Sequence, residues 1–537
     1  MTYDYIIIGA GSAGCVLADR LTESGRFKVL LLEAGGSDAR FWVQTPLGYG
    51  RTFFDPSLNW KYRAEPDPGL SGAADYWPRG KVLGGSSSIN AMVFIRGNPA
   101  DYDDWAAGGN LGWSWNDVLP VFRAIEDNEG GASDFRGVGG KLHVSDVSDQ
   151  LHPLARLYLK AAREAGLPIN PDLNGPTQEG AGLYQLTTKN GQRMSAARAF
   201  LRPALRRANL RVETGALATR ILVEGPRATG VIYRQKGREV TATAGREIIV
   251  AGGSVNSPQL LQLSGIGPAA RLRSLGLPVV LENPNVGDHL QDHVGINHTY
   301  RSTIPTLNGA LRPWWGKLRA GAQYLLLGRG PLSLSLNQAG GFFRTSPDLI
   351  RPNMQLYLQT ISTLTAGKGS RPLLNPDPFE AFSLGLSNCR PTSRGNIMIC
   401  SADPTVAPKI VPNAYNTEED RVEMLAAVKF LRKLADTPSM SSVIAEELRP
   451  GPACQSDAEL MADIAQRSGT VFHPIGTCRM GPDMGSAVVD ARLRVHGIDG
   501  LRVIDCSIMP NIISGNTNAA AIMIGAKGAD MVLQDSR

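Results

Sequence analysis

A chain of 537 residues is long enough for two or three domains with large cores. Its 42% hydrophobic and 19% charged residues are globular values, which exclude a disordered or low-complexity scaffold. A formal net charge of +6 is small for this length, and without a basic run it points away from nucleic acid as a partner.

The first predicted element is an apolar strand, Tyr3-Asp4-Tyr5-Ile6-Ile7-Ile8, followed by Gly9-Ala10-Gly11-Ser12-Ala13-Gly14 and a helix from Ala13 to Leu21. In such a strand–turn–helix unit Gly9 permits the tight turn, Gly11 lets backbone approach a pyrophosphate, and Gly14 lets the helix pack on the strand. The helix N-terminus offers free N–H groups to phosphate. A second strand, Lys28 to Leu32, leads into Glu33 and Ala34, where a carboxylate suits the ribose hydroxyls of an adenosine and repels a 2′-phosphate. This unit predicts a dinucleotide site and leaves NAD and FAD open.

Residues 37–78 are irregular, as expected of an excursion over the carboxyl edge of a doubly wound sheet. Arg79-Gly80-Lys81-Val82-Leu83-Gly84-Gly85-Ser86-Ser87-Ser88-Ile89-Asn90-Ala91-Met92-Val93 is a Gly/Ser loop able to wrap a planar ligand with backbone N–H groups. Helices are expected at 101–105, 115–126 and 154–165. Short strands at 210–214, 218–224, 228–233 and 238–244 read as an antiparallel meander, and Glu247 to Ala251 as a return to the first sheet. Ser257 and Pro258 read as the cap and first residue of a helix that Gly265 ends.

From 296 to 464 the pattern changes to strands at 353–360, 379–388 and 395–400 and helices at 418–436 and 456–467, a second domain for the substrate side. Within it, Arg312-Pro313-Trp314-Trp315-Gly316-Lys317-Leu318-Arg319 is basic and aromatic; it reads as a lid, with peripheral membrane contact as the alternative. The last 70 residues hold His473-Pro474-Ile475-Gly476-Thr477-Cys478-Arg479-Met480-Gly481, a strand ending in Asp505, and Ser514-Gly515-Asn516-Thr517-Asn518 before an apolar helix, Ala519 to Leu533.

Six scattered cysteines without a Cys-x-x-Cys argue against a disulfide framework or a thiolate metal site. His289 and His293 are the one close histidine pair and read as turn and cap residues, so no metal is expected. No apolar run approaches 18 residues and the first strand begins at residue 3, which together predict a cytoplasmic protein, with the inner-membrane surface as the peripheral alternative.

These stretches together resemble the glucose–methanol–choline family of flavoprotein oxidoreductases, along the whole chain and most of all its choline-dehydrogenase-like bacterial alcohol dehydrogenases. The motifs are the N-terminal turn, Gly80 to Val93, Gly253 to Gly267 and His473 to Asn518. The resemblance implies an α/β fold with a discontinuous, Rossmann-like FAD domain (1–155, 195–295 and 465–537). It implies a substrate domain built on an antiparallel sheet with helices (156–194 and 296–464). It implies FAD as cofactor, with Gly9, Gly11, Ser12, Ala13, Gly14, Glu33 and Ala34 at the ADP part. Arg79, Gly84, Asn90, Ala91, Met92 and Val93 would run along the flavin, with Ala218, Ala251, Asp505, Cys506 and Thr517 as further contacts. His473 and Asn518 match the two catalytic positions. Ile89 stands where some members carry a histidine attached to FAD, which implies non-covalent FAD. Ala520 and Ala526 replace a Pro and a Glu usual in the last helix.

The implied reaction is oxidation of an alcohol to an aldehyde or ketone. His473 would take the hydroxyl proton, flavin N5 the hydride, and a quinone or other non-oxygen acceptor the electrons. The alternatives are an oxidase making hydrogen peroxide and, further off, a hydroxynitrile lyase on the same fold. Residues 296–390 lack a run of acids and aromatics, which lowers choline as the substrate.

Overall fold

The computed structural model describes residues 2–364 and 375–536. Two sheets organise the chain. The first runs, from edge to edge, Leu210–Thr214, Val29–Glu33, Thr2–Ile8, Arg238–Val250, Arg227–Gln235 and Ala216–Glu224, with Leu501–Val503 also paired to Arg238–Val250. Thr2–Ile8 is central because its apolar run can be covered on both faces: Ile6, Ile7 and Ile8 are buried between parallel partners Leu30–Leu32 and Ile248–Val250. The first helix, Ser12–Thr22, and the last, Asn518–Asp535, pack together over it. A Cβ on Gly525 would lie 2.8 Å from the Ala13 backbone, so this approach requires glycine. Ala520 and Ala526 are buried as well.

The expected meander is partly redrawn. Leu210–Thr214 pairs parallel with Val29–Glu33, because Asn209 receives the Val29 N–H on its carbonyl and donates its side chain to the Phe27 carbonyl. Residues 238–244 and 247–250 form one strand rather than two. Its first part, 238–243, completes the antiparallel hairpins, and from Thr243 to Val250 it runs parallel to Thr2–Ile8. The helix after it spans Gly253–Leu263, so Pro258 lies inside it and Ser257 is not its cap. The Asp505 carboxylate takes the Gly253 N–H at 2.8 Å and the Ser257 hydroxyl at 2.6 Å, which starts the helix earlier than Pro258 suggests.

The second sheet is antiparallel throughout: Ile444–Arg449, Val294–Ser302, Ala381–Asn388, Met354–Gln359, Asn337–Phe343 and Gly180–Leu183, with Gly469–Thr470 on Val294–Ser302. Its two faces divide by period two. Met354, Leu356 and Leu358 pack under the helices Pro153–Glu164 and Glu418–Ala435. Tyr357 and Gln359, which alternate with them, line a cavity facing the first sheet.

Candidate active site

The cavity, about 690 Å³, runs from the Gly9 turn to the second sheet. At its first end each glycine has a separate steric role. Gly9 has φ +104°, and a Cβ there would sit 2.4 Å from the Ala251 carbonyl oxygen. A Cβ on Gly14 would meet the Gly9 carbonyl at 1.9 Å, so Gly14 lets helix touch strand and does not itself line the cavity. Gly11 does line it, and its nearest neighbour to a Cβ is 3.9 Å away. Glu33 accepts the N–H groups of Ala10 at 2.9 Å and Gly35 at 2.8 Å, and burial pushes its carboxyl up to about 7.

Most of the expected cofactor residues share this one cavity. Ser12, Ala13, Ala34, Arg79, Asn90, Ala91, Met92, Val93, Ala218, Ala251, Asp505, Cys506 and Thr517 line it with Gly9, Gly11 and Glu33. Gly84 does not; it has φ +87°, donates its N–H to the Ala10 carbonyl at 2.7 Å, and fixes the Gly/Ser loop to the first turn. Three helices point their N-termini at the cavity, beginning at Ser12, Gly253 and Asn518. Together with an uncovered Gly11 backbone, they form a cradle for the phosphates of a dinucleotide.

The other end is built around His473. Residues 471–475 pair with 291–293: Val471 donates to the His293 carbonyl at 3.0 Å, and Ile475 and Gln291 exchange backbone bonds at 2.9 and 3.2 Å. Asp292 takes the His473 backbone N–H at 2.7 Å and the Thr470 hydroxyl. Phe472 is held at φ +72°, a conformation uncommon for an aromatic residue, and this turns His473 towards the cavity.

A chain of hydrogen bonds then fixes which imidazole nitrogen carries the proton. His293 Nε2 lies 2.9 Å from the Cys389 carbonyl, which only accepts, so Nε2 carries the hydrogen. Burial lowers the His293 pKa to about 4, so the ring is neutral and its Nδ1 is an acceptor. His473 Nδ1, 3.0 Å away, therefore donates to it, leaving a lone pair on His473 Nε2.

The opposite end of the chain gives the same answer. Tyr184 donates its hydroxyl to the Leu356 carbonyl at 2.6 Å and receives Gln355 Nε2 at 3.1 Å. Gln355 Oε1 accepts the Tyr357 hydroxyl at 2.7 Å, and its Nε2 also donates to Asn516 Oδ1 at 3.1 Å. Asn516 therefore presents Nδ2, a donor, to His473 Nε2 at 3.3 Å. Burial, His293 and Arg79 hold the His473 pKa well below 6.5.

Asn518, the expected second catalytic residue, is placed differently. Its Oδ1 receives the Ser12 hydroxyl at 2.8 Å, joining the first turns of the first and last helices. The structure brings His473 together with Asn516 and His293, neither of which was singled out as catalytic in the sequence. Asn516 was legible as the other Asn of Asn516-Thr517-Asn518. His293, 180 residues from His473, gave no signal beyond its nearness to His289. Cys506 lines the cavity as a protonated thiol, its pKa pushed up to about 12 by burial.

A two-sheet chain with a dinucleotide cradle at one end of a cavity and a proton-accepting imidazole at the other has the construction of a nucleotide-dependent oxidoreductase. The sequence comparisons make the class specific: residues 3–295 and 391–525 match the N- and C-terminal GMC oxidoreductase families, and the chain belongs to the GMC oxidoreductases. It is 42% identical over 99% of its length to an alcohol dehydrogenase [acceptor] of Pseudomonas putida, covering 96% of that protein. It is also 42% identical over 99% of its length to the mitochondrial choline dehydrogenase of Homo sapiens, covering 89% of it. Among solved structures it is similar to pyridoxine 4-oxidase from Mesorbium loti, with TM-score 0.89, 31% identity and 99% of each chain covered. An FAD-dependent oxidoreductase from Chaetomium thermophilum has TM-score 0.90 and 27% identity, with 100% of each chain covered.

Proposed function

We propose that the protein is an FAD-dependent alcohol dehydrogenase acting on an uncharged alcohol and passing electrons to a quinone or similar non-oxygen acceptor. The observation that carries this reading is the lone pair at His473 Nε2, fixed from both ends of a hydrogen-bond chain, in the same cavity as the dinucleotide cradle. FAD, when bound, supplies a hydride acceptor.

The residues present fit that cofactor. Gly9, Gly11, Ser12, Glu33 and Ala34 suit its ADP part, and Asn90 to Val93, Ala218, Ala251, Asp505, Cys506 and Thr517 its remainder. Ile89 has no nucleophile, which supports non-covalent binding. The FAD side takes 1–155, 195–295 and 465–537, and the substrate side 156–194 and 296–464; the strand Val294–Ser302, which Gly469–Thr470 pairs at its start, runs from the first into the second.

An alcohol oxygen placed between His473 and Asn516 accepts from Asn516 Nδ2 and donates its proton to His473 Nε2. The general base contributes roughly 10²–10⁴-fold. Asn516 stabilises the negative charge that develops on that oxygen. His293 keeps His473 in the competent tautomer and is a positioning residue.

Charge at the cavity favours a neutral substrate. Among the described residues its only carboxylates are Glu33 and Asp505. Glu33 is occupied by two backbone N–H groups, and Asp505 by Gly253, Ser257 and Ser507. Tyr49, Phe53, Met92, Leu336 and Phe472 add apolar wall. A quaternary ammonium such as choline finds aromatic faces there but no free carboxylate, so we place an uncharged alcohol first.

The test is anaerobic reduction of the yellow protein by aliphatic and benzylic alcohols, polyols, polyethylene glycol and choline. The neutral apolar alcohols should bleach the flavin fastest, and His473→Ala should retain FAD while losing at least about 10²-fold in that rate. Near-normal reduction in His473→Ala would remove the base assignment. Peroxide formed in air at the rate of turnover would replace the dehydrogenase with an oxidase.

A further inference from the structure

The helix Trp314–Leu327 carries a face that nothing among the described residues covers. Of its residues only Gly316, Ala320 and Tyr324 are buried. At about 100° per residue these three span an arc of about 80°. On the opposite side, within an arc of about 120°, lie Trp314, Leu325, Leu318, Ala322, Trp315 and Leu326. All six are exposed: Trp314 to 73%, Trp315 to 57%, Leu318 to 63%, Leu325 to 69% and Leu326 to 81%. Lys317 and Arg319 fall on the two borders between this face and the rest of the helix. A helix apolar towards solvent, with cations at the waterline, inverts the usual surface pattern.

Charge selects the occupant. No Asp or Glu occurs between Asp292 and Asp348, while Arg312, Lys317, Arg319 and Arg329 stand on or beside the helix. Arg329 is paired with Asp149, and Arg319 makes no ion pair among the described residues. Phe41, half exposed and edge-on to Tyr324 at 6.2 Å, extends the patch. A second copy of the chain, packed on the same face about a two-fold axis, would set these cations against one another. An anionic bilayer surface accepts both the aromatic and leucine face and the cationic borders.

We infer that Trp314–Leu327 is a membrane-docking helix that lies in the interface of an anionic lipid bilayer. This goes beyond the redox reading and does not depend on it. Ala320, on the inner side of the helix, belongs to an apolar cluster with Tyr49, Met92 and Leu336, and those three residues wall the cavity. Docking therefore sets that wall next to the lipid, the phase in which apolar alcohols and quinones concentrate.

The test is co-sedimentation of the full-length, FAD-loaded protein with vesicles of phosphatidylcholine alone or mixed with phosphatidylglycerol. Binding should be at least about tenfold tighter to the mixed vesicles. The triple variant Trp314→Ser, Leu318→Ser, Leu325→Ser should stay in the supernatant while keeping its FAD and its rate with a water-soluble acceptor. Lys317→Glu with Arg319→Glu should abolish the preference for phosphatidylglycerol. Brominated lipid should quench tryptophan emission in the unaltered protein and quench much less in Trp314→Phe with Trp315→Phe, a readout that needs no folding-sensitive change. Failure of the unaltered protein to sediment with either vesicle overturns the inference. So does a dimer in solution that the triple variant breaks and vesicles do not.

Discussion

His473 Nδ1 lies 3.0 Å from His293 Nδ1, and the two rings meet edge to face at 87°. When His293 donates from Nε2 to the Cys389 carbonyl, its Nδ1 accepts from His473 Nδ1, and that arrangement leaves the lone pair on His473 Nε2. His293→Phe keeps the bulk and removes the acceptor, freeing His473 to carry its hydrogen on Nε2. The rate of flavin reduction should fall at least about tenfold, with KM little changed; tautomer loss in other catalytic histidines costs up to about 10⁴-fold. His293→Gln, which offers an acceptor oxygen, should restore part of the rate. Stopped-flow reduction of both variants checks this, and equal defects in the two would remove the tautomer role.

Asn516 and Asn518 should separate cleanly. Asn516→Ala removes the donor facing His473 Nε2 and should lower flavin reduction by about 10²–10³-fold with FAD retained. Asn518→Ala breaks the bond from Ser12 between two helix N-termini and should weaken FAD retention more than it slows reduction. FAD content after gel filtration, read beside the reduction rate, distinguishes them; the reverse pattern would return the catalytic role to Asn518.

The glycines of the first turn make an equally sharp pair. Gly11→Ala has room on the protein side, its Cβ 3.9 Å from the nearest neighbour, so the apoprotein should melt normally and bind FAD poorly. Gly14→Ala drives a Cβ to 1.9 Å from the Gly9 carbonyl and should cost about 1–3 kcal/mol even without FAD. Thermal melts of both apoproteins decide the matter.

Acid should act below the ordinary histidine range. The His473 pKa is held well below 6.5 by burial first, then by His293 and Arg79, so the ring stays neutral as pH falls through 6.5. The acid limb of flavin reduction against pH is expected below 6.5. The stability sign follows from the same shift. His293 is neutral when folded down to about 4 and takes a proton when unfolded from about 6.5, so its contribution is intact above 6.5 and is lost as pH falls from 6.5 through 4. Asp292 and Glu33, both raised to about 7 by burial, act in the opposite sense, losing stability as pH rises through 7. In His293→Gln the fall in melting temperature between 6.5 and 4 should be shallower; an unchanged slope would assign the acid sensitivity elsewhere.

Local patterning carried the first strand, the Gly9–Gly14 turn and Glu33, because each depends on residues within about one βαβ unit. The same held for the helices at 99–107, 115–125, 418–435 and 457–467, whose boundaries moved by only one or two residues. The motifs also carried the family and the presence of His473 in the site. Where pairing partners lie far apart, local pattern gave the wrong neighbour. Leu210–Thr214 looked like a hairpin strand and is a parallel edge strand beside Val29–Glu33. Pro258 looked like a helix start and sits inside a helix begun by Asp505, nearly 250 residues away.

The sequence by itself determined the first strand, its glycine turn and the family, since steric demands on glycine and runs of apolar residues are written locally. Only the tertiary structure decided that Asn516 rather than Asn518 meets His473, that His293 lies against its other nitrogen, and that Trp314 and Leu325 share a face left uncovered by the described residues. The reason is that hydrogen-bond direction and burial belong to neighbours in space. A cavity wall made from residues 9, 33, 92, 357, 473 and 516 exists only after both sheets have closed around it.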